Sequence, residues 1–125
     1  MNNYYNWPEF ESIYLEDSFV KGISEYNDRL TFSLEIVLKD NHPRYELPKK
    51  GERYCYKNGE IVFSEIDKII WIEKNMHQYK DANNEIDYGN IDELSYSEES
   101  EEYKVTGDWG HLRIKCETLS VNLME

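Results

Sequence analysis

Apolar and polar positions alternate most regularly from Arg29 to Lys39, where Leu30, Phe32, Leu34, Ile36 and Leu38 are separated by Thr31, Ser33, Glu35 and Val37. A period of two predicts a half-buried β-strand with one wet face. Ser18–Ser24 predicts a shorter strand before it, and Glu25-Tyr26-Asn27-Asp28 the turn between them. From Arg53 to Glu73 the chain is richest in aromatic and β-branched residues and is interrupted by Asn58-Gly59, the pair that favours a type I′ turn. The expectation is a hairpin centred there, with Tyr56 opposite Ile61, Tyr54 opposite Phe63, and Cys55 and Val62 on the other face. Ile69-Ile70-Trp71-Ile72 then reads as a central strand covered on both faces.

The flanks are less regular. Asn6-Trp7-Pro8-Glu9 has the chemistry of a helix start, and Phe10, Ile13 and Tyr14 follow at helical spacing, so residues 1–15 predict a short helical segment closing an open end of the sheet. Asp40–Glu52, with Pro43, Pro48 and Gly51, predicts an exposed loop. Residues 75–102 predict an acidic, partly irregular connection, with an edge strand starting at Ile91, Leu94 and Tyr96. Gly107-Asp108 supplies a bend before Trp109. After it, apolar residues fall on even positions (Leu112, Ile114, Cys116) and then on odd ones (Leu119, Val121, Leu123), which predicts a bulge or a change of sheet near Glu117-Thr118. The sum is one all-β domain over residues 1–125: an antiparallel β-sandwich or half-open barrel of six to eight strands with one short N-terminal helix.

Charge alters the functional picture. With 26 Asp and Glu against 14 Lys and Arg the formal net charge is -12, which disfavours nucleic acid and anionic membrane surfaces and favours a basic partner. Between Asp81 and Tyr103 there are nine carboxylates and no Lys or Arg. Cys55 and Cys116 form no metal or redox motif and read as buried free thiols. The first ten residues lack the features of a signal peptide and no apolar run has the length of a membrane span, so the cytoplasm is the expected location.

Chemistry-bearing motifs are lacking. His42, His77 and His111 stand at no zinc-hydrolase spacing, no Ser sits in a nucleophile elbow, and the glycines form no phosphate loop. No catalytic residue, metal site or cofactor is therefore expected. The acidic stretch is the candidate binding surface, through Asp92, Glu93, Tyr96, Glu98, Glu99, Glu101 and Glu102, because tyrosine among carboxylates suits an anchor with a charged rim. A second expectation is a small-ligand or carbohydrate module using Trp7, Trp71 or Trp109 as a stacking platform.

Three stretches carry a resemblance: Leu15-Glu16-Asp17-Ser18-Phe19-Val20, Gly59-Glu60-Ile61-Val62-Phe63 and Gly107-Asp108-Trp109-Gly110-His111-Leu112. They resemble small bacterial β-sandwich proteins, some of which are classed as immunity proteins of polymorphic toxin systems. The resemblance implies a non-enzymatic domain that binds and neutralises a toxin, and Glu16 stands where such families often carry His. Together with the charge, it gives the expectation of an immunity-type inhibitor that meets a basic toxin with its acidic surface.

Overall fold

The computed structural model describes residues 2–80 and 84–124. Among the described residues nine strands follow in chain order: β1 (Asn2–Asn3), β2 (Ile13–Tyr26), β3 (Arg29–Leu38), β4 (Cys55–Lys74), β5 (Tyr79–Lys80), β6 (Ile86–Asp87), β7 (Ile91–Ser97), β8 (Glu102–Gly107) and β9 (Gly110–Leu123). Seven of them form one antiparallel sheet in the order β1-β7-β8-β9-β4-β3-β2, and β5 and β6 pair separately. The sheet curls until its ends meet. Val20 of β2 donates to the Gly89 carbonyl (2.7 Å) and accepts from Tyr88 (2.8 Å), while Asn90 Nδ2 donates to the Ser18 carbonyl. The all-β expectation thus takes its half-open barrel form.

The core lies inside the curl. Leu30, Phe32, Leu34 and Ile36 of β3 meet Ile61 and Phe63 of β4, Leu94 of β7, Val105 of β8 and Leu112 and Ile114 of β9. Trp109, fully buried in the β8–β9 turn, packs edge-on against Phe32 with ring centroids 5.0 Å apart and donates its indole N–H to the Asn90 carbonyl. Alternation over β3 is as expected, except that Val37 on the outer face is also buried.

The N-terminal helical element is a single 3-10 turn, Tyr4–Asn6, which lies before Pro8. Residues 8–12 form successive turns, and Ile13 already belongs to β2. A helix from Pro8 onward loses to the sheet because Ile13 and Tyr14 find backbone partners in Leu38 and Val37. The turns bury Phe10, and the Tyr4 hydroxyl accepts from Leu15 N–H and bonds Glu16. Burial and that carboxylate push the Tyr4 phenol far above its ordinary value.

Two expectations for the central stretch are overturned. There is no hairpin at Asn58-Gly59, because β4 runs straight through it for 20 residues. Its first half pairs with β3 (Leu30↔Phe63 to Leu38↔Cys55) and with the end of β9 (Gly59↔Leu123, Ile61↔Val121, Phe63↔Leu119). Tyr54 and Phe63 therefore do not face each other. Gly59 keeps a non-positive φ and answers a different demand. A Cβ there would lie 2.7 Å from the Asn122 carbonyl and 2.8 Å from Ile36 Cδ1. Nor is the Ile69–Ile72 run covered on both faces: Ile70 is 37% and Ile72 50% exposed, since β3 stops at Arg29 and leaves this half of β4 with β9 alone.

The parity slip near Glu117-Thr118 occurs without an extra residue in β9. Pairing continues from Phe63↔Leu119 to Ile66↔Cys116, and the opposing Glu65 takes a left-handed conformation (φ 54°) that bends both strands together. The extra residue sits on β4, between Ile66 and Lys68. The acidic connection is more ordered than its composition suggests, since β5, β6 and β7 lie within it; Asp81 falls outside the described residues.

Candidate functional site

The predicted acidic residues fall at the two ends of the β7–β8 hairpin. Asp92 and Glu93 lie near one end of the β7–β8 hairpin, where Glu93 pairs with Thr106, while Glu98, Glu99 and Glu101 occupy its turn and Glu102 begins β8. Seven residues of strand at about 3.3 Å each put the two groups about 20 Å apart. Glu93 is engaged locally, with Lys104 Nζ at 3.4 Å and the Ser95 hydroxyl donating to it at 3.0 Å. Partial burial and the neighbouring carboxylates Asp108 and Glu16 raise the Asp92 carboxyl above its ordinary value. Glu98 accepts from Asn2 Nδ2 at 3.3 Å.

What the fold assembles instead is a groove at the turn end of that hairpin, about 640 Å³ in volume. Asp28 comes from the β2–β3 turn, Glu65, Ile66 and Asp67 from the bend of β4, Tyr96 and Glu101 from the β7–β8 hairpin, and Lys115, Cys116 and Glu117 from β9. Local geometry explains the convergence. Ile66 N–H donates to the Asp28 carbonyl at 3.0 Å, tying the turn to the bend, and Thr118 Oγ1 donates to Glu65 Oε1 at 2.8 Å. Glu101 takes a left-handed conformation (φ 57°), as a residue closing a tight turn does. Tyr96 packs on Tyr103, ring centroids 4.9 Å apart, which in turn meets Phe63 of the core.

Five carboxylates and one lysine in a concave, partly apolar recess produce a concentrated negative potential, because low-dielectric walls focus field lines toward the opening. Cys116 lines the same recess. Burial pushes its thiol up to about 11 against a small opposing effect of the Thr118 backbone, so at neutral pH it is a neutral thiol and a poor nucleophile. Of the predicted residues only Tyr96 and Glu101 line the groove. Asp28, Glu65, Asp67 and Glu117 are additions that no local motif marks, since they meet only through β3–β4 and β4–β9 pairing.

At the opposite end of β3 the outer face carries aromatic rings. Tyr14 stands against Tyr54 (6.2 Å between centroids), Phe19 stacks on Tyr56 (5.7 Å), and both pairs enclose Val37 on β3, which is 2% exposed. Ser18, buried where β2 breaks register, donates to the Tyr14 carbonyl at 2.7 Å and accepts from Val37 N–H at 2.9 Å. A recess of about 480 Å³ opens here between Tyr14, Tyr45, Tyr54 and the floor of Val37, Leu38 and Cys55, with Lys39, Asp40 and Arg53 at its lip. Tyr54 is fixed by donating its hydroxyl to Asp17 at 2.7 Å, which raises its phenol above the ordinary value, and Arg53 lies 5.3 Å from its ring centre.

Trp109 is not available as a stacking platform, because the β8–β9 turn encloses it completely. Trp71 is held by its indole N–H donating to Glu25 at 2.6 Å, with Lys74 4.8 Å from the ring centre. Trp7 is half-buried against Phe10 and Tyr103. Among the described residues no three His, Cys, Asp or Glu side chains are grouped so as to hold a metal ion. His42 accepts from Arg44 N–H, and burial lowers its imidazole below the ordinary value; His77 packs on Tyr79. No helix among the described residues is long and apolar enough to cross a membrane. Comparison of the chain with protein-family models, with curated proteins and with solved structures finds no match.

Proposed function

We propose that this chain is a non-catalytic binding protein that takes a basic protein partner at the acidic groove, and that it acts as an immunity-type inhibitor of a basic toxin. The observation that carries the reading is the convergence of Asp28, Glu65, Asp67, Glu101 and Glu117 from four separate segments onto one recess beside Tyr96. A toxin that acts on nucleic acid needs a positive active face, and an acidic recess with an aromatic wall complements such a face in charge and shape. The exposed turn carrying Glu98 and Glu99 extends the negative field beyond the recess and speeds encounter.

The test is association kinetics with a basic nuclease-type toxin domain. Asp28→Asn, Glu101→Gln and Glu117→Gln combined should slow association at least about tenfold at low salt and much less at high salt. Equal rates for the variant and the parent at low salt would remove the groove from the mechanism.

A second reading is supported by the tyrosine-lined recess: a small-ligand or carbohydrate module, with Tyr14, Tyr45 and Tyr54 in place of the expected tryptophans. Chemical-shift changes confined to these residues across a panel of sugars and aromatic acids would support it. An unperturbed spectrum at millimolar ligand would count against it.

A further inference from the structure

After Ile114 one edge of β9 is left uncovered, because β8 pairs with β9 no further than that residue. Strand β9 pairs with β4 from Gly110 to Leu123, whereas β8 covers its other side only from Gly110 to Ile114. Beyond that point, among the described residues, the backbone groups of β9 that face away from β4 meet no strand and no other backbone partner. The inward side chains of this stretch are left half-covered as well. Leu119, Val121 and Cys116 are only partly buried, although Phe63 and Ile61, opposite the first two, are buried.

A bare edge invites pairing unless the sequence prevents it. Another uncovered stretch of the sheet, Asp67–Lys74 of β4, is protected: two register breaks interrupt it, and Asp67, Lys68, Glu73 and Lys74 charge it. From Thr118 onward the β9 edge has none of these devices. Thr118-Leu119-Ser120-Val121-Asn122-Leu123 has no charge and no proline, and its pairing is unbroken, in a chain of which 32% is charged. Its upstream end, at Cys116 and Glu117, is a wall of the acidic groove.

We propose that the Cys116–Leu123 edge accepts an extended segment of the basic partner, which adds to the sheet antiparallel to β9 and lays basic residues at its C-terminal end in the acidic groove. Main-chain hydrogen bonds along β9 hold the segment, alternate apolar side chains cover Leu119 and Val121, and the groove selects the charge that follows them. The proposal rests on the reading of the groove as the partner site and adds the conformation and polarity of what binds there.

The test uses the intact protein and two synthetic peptides, each an alternating Val/Thr strand, one ended by Lys-Arg-Lys and one by Glu-Asp-Glu at the C-terminus. Amide hydrogen exchange is read residue by residue. With the basic-ended peptide, exchange at some of the amides in residues 116–123 should slow saturably, by at least about fivefold. The acidic-ended peptide should leave it unchanged. Val121→Lys, which places a charge on the inward side of the edge, should abolish the protection while unfolding as cooperatively as the parent; Glu117→Gln should weaken it at low salt and much less at high salt. Three results would overturn the proposal: no protection of 116–123 by the basic-ended peptide, equal protection by both peptides, or protection without peptide that grows with protein concentration, which would mean that a second copy covers the edge. A basic partner whose binding depends on Asp28, Glu101 and Glu117 but leaves residues 116–123 unprotected would retain the groove and remove strand addition.

Discussion

Replacing Gly59 by alanine tests the central claim about the fold, that Asn58-Gly59 is the middle of a strand. In the structure Gly59 lies between Leu34 of β3 and Leu123 of β9, buried. An added methyl would meet the Asn122 carbonyl at 2.7 Å, Ile36 Cδ1 at 2.8 Å and Leu123 Cδ2 at 3.2 Å. Two of these are closer than a Cβ tolerates, and one is backbone held in the ladder, so the strands must part by some tenths of an ångström. Overpacking of this kind costs about 1–3 kcal/mol. In a chain of this size that lowers Tm by roughly 4–12 °C and the urea midpoint by about 1 M. Gly22 is the control: a Cβ there meets nothing within 4 Å, so Gly22→Ala should be neutral or stabilise by about 0.5–1 kcal/mol. Asn58, exposed and extended, should accept threonine with a change within about 0.5 kcal/mol. A type I′ turn gives the reverse pattern, in which Asn58→Thr is costly and D-alanine at position 59 is better than L-alanine. That reversed pattern in paired thermal and urea unfolding would refute the strand assignment.

Ser18→Ala should cost about 1–3 kcal/mol in urea unfolding, because it leaves the buried Val37 N–H without its acceptor. Asp92→Asn should raise Tm slightly at pH 7 and have no effect near pH 3, read by calorimetry across pH. The sign follows from a folded value raised above the unfolded one: the ionised carboxylate opposes folding above its folded value, and the penalty disappears as pH falls through that value toward the unfolded one. In a Cys55→Ala background, Cys116 should react with a thiol reagent at pH 8 roughly a hundredfold more slowly than an ordinary thiol and accelerate toward pH 11.

The parts of the fold that are legible in the sequence are those set by neighbours in the chain. Alternation from Leu30 to Leu38 gives β3 and its inward face, Asn27-Asp28 and Gly107-Asp108 give the turns on either side of long strands, and the prolines between Asp40 and Glu52 give the loop. Asn58-Gly59 fails because glycine serves two opposite needs, a positive φ or a close approach of another chain, and only pairing with β9 decides between them. The Ile69–Ile72 run misleads for a related reason, since how far β3 extends alongside β4 is invisible to β4 itself. The acidic groove was half-legible. Its composition on β7 and β8 stands out, but Asp28, Glu65, Asp67 and Glu117 enter it through long-range register and one left-handed residue.

The length of β4 also has a kinetic meaning. Its pairing with β9 runs from Lys74↔Gly110, whose partners are separated in sequence by the segment that holds β5 to β8, out to Gly59↔Leu123, the most distant pair in the ladder. Closure of the near end makes every later pair a small step, so the two strands zip from Lys74 toward Gly59, and the breaks in register after Trp71 and Ile66 are met early. The first half of β4 can meanwhile pair with β3, its immediate predecessor. Two hairpin-like units therefore grow along one shared strand and meet where Gly59 leaves room for them, which places the assembly of this barrel among the slow, non-local folders of the millisecond-to-second range.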